Sequence, residues 1–563
     1  MAEASEGGAL AGAATPSATE ARGGELPPWK VDELPEPPPI RWTPRALIGP
    51  GLMMVGAAIG GGEWLMGPAV AGTYGGCVMW LATVSLLSQV AYNLEVMRYT
   101  IYCGEPIFVG FFRLLPGPRF WTVAYLCIDF FGLWPYLAAN AAVPLHAAFL
   151  GHLPGELPTS YLSVEEIASR TGLPEGVVLE VRDRPERFGE GKQPLPAPIS
   201  EWVAREKRNT TWIGYGIFLS SFVPLIFGGK IYNALEKMMV IKMVLVLGYL
   251  IFLGILFVSP STWTEIFAGF AFLGKGADGS WSFRILPDGA SVSDVDWARL
   301  GAFAAIAGQG GMTNSQLSNY ARDKGWGMGS LVGAIPSMVG GKDIKLSHTG
   351  KVFTVTPDSL RRWKGWMRVL QRDQLAIWFF GCVLGVAIPA LVSLEFVRGK
   401  TISGDAIAAT TAHAIWERTG LFAFWFLTLL CGFIVLVPSQ ISQIDGVIRR
   451  WTDVLWTGSR RLRHLEGNAV KYVYYTLLLA YAAWGLFVLF ALSGQQLAIT
   501  KWAGVLMNFA LGFSSFHTLA VNLILLPKQL RPGWFLRGSL VFCGIFFMTV
   551  SALGLYRILY PLG

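Results

Sequence analysis

Charge, cysteine and histidine are all scarce in this chain of 563 residues. Charged residues make up 15% of it and hydrophobic residues 53%, with a mean hydropathy of +0.46. That balance excludes a soluble globular protein and implies a chain that crosses a membrane many times. The six cysteines, Cys77, Cys103, Cys127, Cys382, Cys431 and Cys543, lie in or beside apolar segments without a CxxC pair, which excludes a disulfide framework and a cysteine zinc site. The six histidines stand at 146, 152, 348, 413, 464 and 517, too scattered for the cluster of His and acids that a membrane enzyme needs. No nucleotide-binding P-loop is present, which argues against transport driven by ATP. The first residues are rich in Ala, Gly, Glu and Pro and lack the basic-then-apolar order of a signal peptide, so 1–44 reads as a disordered cytoplasmic tail.

What the chain has instead is long apolar runs. Eleven windows of about 20 mostly apolar residues recur near 46–70, 77–102, 120–149, 211–229, 233–258, 299–321, 373–394, 420–446, 472–493, 502–526 and 535–556. With the N-terminus inside, most Lys and Arg fall on the inner side, so the net charge of +8 reports topology and not a nucleic-acid partner. The expected setting is the plasma or inner membrane, with 45–563 as one transmembrane domain whose only general partner is the bilayer; the oligomeric state is not legible. The external connection 150–210 contains Ala168, Gly172 and Val178 at helix-turn-helix spacing, but across the membrane from DNA it reads as a two-helix cap. The inner connection 322–372 carries Lys351–Thr356, which alternates like a hairpin strand, and a basic run at Arg361–Trp366 that fits an interfacial helix. The connection 447–471 reads as a basic loop that sets orientation.

Two apolar windows are faulted at their centres. The first contains Gly60-Gly61-Gly62-Glu63-Trp64, where three glycines weaken a helix by roughly 1 kcal/mol each and a carboxylate sits deep in hydrocarbon. The sixth contains Gly308-Gln309-Gly310-Gly311-Met312-Thr313-Asn314-Ser315. Such breaks are tolerated only inside protein or beside water. Five segments apart, they fit an inverted repeat whose freed carbonyls and half-helix ends surround one midplane site. Helix packing through small residues is the alternative, but that uses spaced glycines, not consecutive ones.

Gly49-Pro50-Gly51, the first break, Ala71-Gly72-Thr73-Tyr74-Gly75 and Met79-Trp80 together resemble the first two helices of Nramp-type (natural resistance-associated macrophage protein) divalent metal-ion transporters. Arg98–Gly104 resembles that family's RLGxxTG, Tyr232–Lys237 the start of its fifth helix, Asn314 with Leu317 its MPHN motif, and Pro438–Asp445 its eighth helix. The resemblance implies an all-α, LeuT-type five-plus-five fold of eleven transmembrane helices with helices 1 and 6 broken. It also implies divalent cation transport by alternating access, with proton coupling common. Carried over position by position, the family's DPGN becomes Gly60 to Glu63, so its ligand Asp is Gly60 and its ligand Asn is Glu63. The MPHN becomes Gly311 to Asn314, with Gly311 for the ligand Met and Thr313 for the His, and the carbonyl donors fall on Ala57 and Gly308.

With Gly311 offering no thioether, the remaining set of one carboxylate, carbonyls and amides, Gln309 included, suits a hard cation such as magnesium or manganese, taken partly hydrated. The cation is cargo, and no cofactor is expected. The alternative is a LeuT-like symporter for a small organic solute, an amine or amino acid, held by Glu63 with Trp64 and Trp134 as a cation-π wall. An enzyme or a channel is the remoter option. Glu63 also suits proton coupling, or a plain cap on the second half-helix. Asp129, Glu95 and His517 are weaker candidates for a proton or gating path, each also readable as a locally paired group. Glu236 reads as an ion pair with its neighbour Lys237 and as a weaker gating candidate, and Gln440, Gln443 and Asp445 as lining of an inner vestibule.

Overall fold

The structure, a computed structural model, describes residues 26, 29–31, 37–40, 49–188, 192–226, 231–333, 349–399, 407–465, 469–491 and 496–560. Side chains are described for all of these except 30, 31, 61–63, 131, 231–234, 407, 408 and 496–499. Each apolar window coincides with helix. The first is split into α1 (Pro50–Ala58), a π-turn (Gly61–Met66) and α2 (Gly67–Tyr74). α3 (Trp80–Cys103) follows, and the third window is divided into α4 (Pro118–Ile128), a 3-10 turn (Phe130–Leu133) and α5 (Tyr136–Leu150). This division was not expected; Gly132 and Pro135 stand where the helix stops and restarts. The cap follows, with α6 (Val164–Thr171) and α7 (Glu175–Asp183), then α8 (Ala197–Ser220) and α9 (Ile231–Phe257).

The sixth window is split into α10 (Trp297–Ile306), a 3-10 turn (Gly311–Ser315) and α11 (Gln316–Lys324). The longer helices that follow are α12 (Pro357–Arg372), α13 (Phe380–Val397), α14 (Phe422–Gly458), α15 (Val470–Ala491), α16 (Gln496–Ile524) and α17 (Trp534–Leu559), and shorter ones such as Pro260–Phe270 and Ile407–Thr419 lie in the connections. Among the described residues, seven helical runs are long and apolar enough to cross a membrane, α12 and α13 counting as one run. The chain is an integral membrane protein.

α3 is the central helix. It is buried on nearly every side, and its polar residues Ser85, Gln89 and Asn93 are spaced about one turn apart, with Glu95 two positions further on. Inside a bundle such groups must find partners, and their positions set where the neighbouring helices dock. Ser85 donates to Ala304 O at 2.7 Å, and Asn522 of α16 donates to both Glu95 O and Glu95 Oε2 at 2.9 and 2.8 Å.

One expected loop is helical, and the Arg361–Trp366 run, expected as an interfacial helix, is helical too. Residues 447–458 continue α14, because Arg449 and Arg450 are buried in ion pairs and not left in solvent. The Arg361–Trp366 run lies in α12, which turns Trp363, Trp366, Met367, Val369 and Leu370 inward and Arg361, Lys364 and Arg368 outward. Among the described residues the Lys351–Thr356 segment has no hairpin partner: its strand β4 (Lys351–Val352) pairs in parallel with β1 (Lys30–Val31) of the N-terminal segment. β2 (Leu273–Lys275) and β3 (Trp281–Phe283) form the antiparallel ribbon, elsewhere in the chain. Part of the tail thus has a defined place. Trp29 is buried under the Arg113 guanidinium, 4.9 Å from its ring, and Trp366 Nε1 donates to Pro38 O at 2.8 Å. The cap has its own small core of Ile167, Val178, Val181 and Ile199.

Candidate functional site

The two breaks differ in form. At the first, α1 stops at Ala58, Ile59 and Gly60 turn, and the chain resumes at once as a π-turn, with Trp64 N donating to Gly60 O at 3.0 Å. At the second, Ala307 to Gly310 are non-helical, and Gly308, Gly310 and Gly311 all have left-handed backbone, with φ of 93°, 60° and 59°. Glycine is required at position 310, where a Cβ would lie 1.4 Å from Ala305 O.

Each break is satisfied by side chains from elsewhere. At the first, Lys242 Nζ of α9 donates to Gly56 O at 2.7 Å and bonds Ser439 Oγ of α14, and Ser439 Oγ lies 3.1 Å from Ala57 O. At the second, Gln89 Oε1 accepts from Gln309 N, Gly310 N and Asn314 Nδ2 at 3.2, 3.1 and 2.9 Å, while Gln89 Nε2 donates to Ala307 O at 2.6 Å. From Asn314 a chain of amides runs on through Asn93 and Gln374 to Asp373, each link 2.9 Å, and Asp373 Oδ2 accepts from Gly51 N at the start of α1.

Between the breaks lies a cavity of about 70 Å³. That is room for about five waters. Of the expected ligand positions, Ala57, Gly308, Gln309 and Thr313 line it, whereas Gly60, Gly311 and Asn314 stand behind the wall. Gly60 is backed by Ser439, and a Cβ there would be 2.7 Å from its hydroxyl; Gly311 is backed by Met507, and Asn314 turns to α3. Glu63 lies in the π-turn, and its side chain is outside the described residues. The wall also contains Met312 and Met507, so thioethers reach the cavity from a neighbouring position and from α16 although Gly311 supplies none. The expected tryptophan wall is elsewhere: Trp64 packs on Gly432 and lines a separate apolar pocket with Pro68 and Leu250. Trp134 contributes its backbone carbonyl to Gln443, at 3.4 Å.

Asp129 does reach the cavity, paired to Arg450 by contacts of 3.0 and 3.1 Å. That pair is part of a larger set. Arg449 bridges Asp445 and Asp323, Arg322 bridges Asp323 and Asp453, and Tyr474 donates to Asp445 at 2.8 Å. These buried pairs join α4, α11, α14 and α15 at one end of the bundle. Breaking any of them strands a buried charge, which ties these helices to one another. The other weak candidates lie outside the cavity. Glu95 is locally paired with Arg98 at 2.9 Å, and His517 Nδ1 bonds Tyr125 at 2.7 Å within a stack of Phe111 and Trp121. Glu236 pairs with Lys324 of α11 at 2.9 Å, not with its exposed neighbour Lys237, because α9 and α11 meet on that face. Gln443 lines the cavity, Gln440 accepts from Ala138 N at 3.0 Å, and Asp445 belongs to the ion cluster. Lys242, Ser439 and Gln89 were not singled out from the sequence. The signal was there for Lys242, a cation inside an apolar window.

Two interrupted helices facing one cavity inside a polytopic bundle define a LeuT-type transporter fold. No family model and no curated protein matches the sequence. Solved structures do match. Crystal structures of two variants of an Eremococcus coleocola manganese transporter, one with a histidine and one with a glutamate replaced by alanine, align with TM-scores of 0.54 and 0.53. Each is 11% identical, and the alignment covers 95% of this chain and 92% of the other. The chain therefore shares the fold of that transporter over 95% of its length, and the Nramp resemblance holds as a likeness of architecture.

Proposed function

We propose that this chain is a secondary transporter that carries a divalent cation through the membrane by alternating access, with Glu63 as the charged ligand, beside the mutually paired Asp129 and Arg450 on the cavity wall. The observation that supports this reading is the cavity where the breaks meet, walled by Gln309, Thr313, Ser439, Ser442 and Gln443 beside the backbone of Ala57 and Gly308. Neutral oxygens with a carboxylate suit manganese or magnesium, and the space suits an ion that keeps part of its water. The two thioethers on the wall tilt the choice toward manganese, the softer of the two. The cation is cargo, the chain is neither an enzyme nor a passive channel, and a proton gradient is the proposed driving force. The proposed setting is the plasma or inner membrane with the N-terminus inside.

A second reading, a small solute with a carboxylate such as an amino acid, draws on one observation, the Lys242 ammonium at the first break. Uptake into proteoliposomes decides between them. Saturable manganese or magnesium uptake that is lost in Glu63→Gln is the expected result. Uptake of an amino acid or amine by a chain that neither binds nor moves a divalent cation would overturn it.

A further inference from the structure

The C-terminal end of α1 carries the negative end of a helix dipole, and in transporters with broken helices the freed carbonyls at such an end hold the coupling ion. Here a group of the chain itself stands there. Lys242 is 1% exposed, its Nζ is 2.7 Å from Gly56 O, and it bonds Ser439 Oγ, which in turn lies 3.1 Å from Ala57 O and 3.5 Å from Ile59 O. One ammonium and one hydroxyl thus serve three carbonyls of one half-helix terminus.

The backbone is shaped to bring them in. At Gly56 a Cβ would be 2.5 Å from Met239 Cβ, so α1 and α9 touch there, and Lys242 stands three positions, about one turn, beyond Met239. At Gly60 a Cβ would be 2.7 Å from Ser439 Oγ and 3.1 Å from Ala57 O, so the first glycine of the break admits the hydroxyl of α14. The glycine that stands where Nramp-type transporters carry a ligand aspartate therefore makes room for the partner of an internal cation. Of the ionisable groups on the packed elements, Cys431 of α14 interacts electrostatically with Lys242 and Glu63 lies in the π-turn, while Glu236 of α9 pairs with Lys324 and Asp445, Arg449, Arg450 and Asp453 of α14 belong to the ion cluster.

We propose that Lys242 is a built-in coupling cation: its ammonium occupies the oxygen cluster where a monovalent metal ion would otherwise bind, and ties α1 to α14 without sodium. The proposal concerns the first break alone and does not rest on the identity of the cargo. It is tested on the purified full chain, without any divalent cation, by following thermal unfolding through intrinsic tryptophan fluorescence in sodium, lithium or choline chloride at equal ionic strength. The native protein and Lys242→Arg are expected to unfold at the same temperature in all three salts. Lys242→Ala, which opens the oxygens, is expected to gain a rise of several degrees specific to sodium or lithium, as a newly bound ion requires. A sodium-specific rise in the native protein overturns the proposal, as does a folded Lys242→Ala that ignores both ions. Should Lys242→Ala not accumulate in folded form, the native protein decides: equal unfolding in the three salts supports the proposal and a sodium response overturns it.

Discussion

The first and sixth segments are broken at corresponding places in a repeated fold, yet the two faults are held by opposite chemistry. The first is short, and the side chains that fill it are donors, a lysine and a serine turned on the carbonyls of α1. The second is longer, bends through three left-handed glycines, and is filled chiefly by one acceptor, the Gln89 oxygen, which gathers two backbone N–H groups and the Asn314 amide. A broken helix always exposes both kinds of group. Which kind the neighbours serve decides whether the break carries charge. In this chain the first break carries it and the second is neutral.

If that contrast is correct, the glycines of the two breaks are not equivalent. Gly310→Ala is expected to destabilise by about 4–5 kcal/mol or more, enough to remove the folded peak in size-exclusion chromatography, because both its backbone conformation and the Ala305 carbonyl forbid a Cβ. Gly60→Ala meets chiefly a hydroxyl that can rotate away, and about 1–2 kcal/mol is expected. Equal losses would erase the distinction.

A second measurement sharpens it. Gln89→Leu leaves Gln309 N, Gly310 N and Asn314 Nδ2 without the oxygen they share, for an expected loss of about 3–5 kcal/mol in thermal or denaturant unfolding. Gln89→Glu keeps the acceptor for all three but replaces the Nε2 donor that serves Ala307 O, so recovery of part of that loss is expected only with its carboxyl protonated, in acid solution. A Glu variant as unstable as the Leu variant there too would mean that the second break is not held through its donors.

The smallest effect lies farthest from the break. Asp296 caps α10 by accepting from Ala298 N and Arg299 N, and pairs with Lys501 at 2.8 Å. Burial alone would raise its carboxyl, but the Lys501 ammonium and the Arg299 backbone and charge outweigh that and hold it below the usual range. A depressed folded value gives stability that is complete above the unfolded value near pH ~4 and is lost as pH falls through the lower, folded value. Asp296→Asn keeps a capping oxygen and loses the ion pair, so a loss within about 1 kcal/mol is expected above pH ~4, vanishing in more acid solution. An equal loss at both pH values would remove the ion pair from the account.

The positions of the faults were legible because they are local. Three glycines and a carboxylate inside an apolar window contradict a continuous helix whatever surrounds them, and Gly308-Gln309-Gly310-Gly311 does the same. The occupants of the faults were not legible. Lys242 is 186 positions from the carbonyl it serves, Gln89 is 221 from Gly310, and Asp129 is 321 from Arg450. Arg449 and Arg450 looked like orienting charges in a loop because a run of arginines beside an apolar window carries no mark of the acids that neutralise it. The missing thioether at Gly311 misled for a similar reason: Met312 and Met507 come to the cavity from backbone paths that the motif does not record.

Sequence by itself determined that this is a membrane bundle and where its helices must fail, since hydropathy and the dihedral range of glycine act over a few residues at a time. Only the tertiary structure decided what fills each failure. A buried carbonyl or amide takes its partner from whichever helix packs against it, so the cation at the first break and the amide at the second were settled by packing between distant segments.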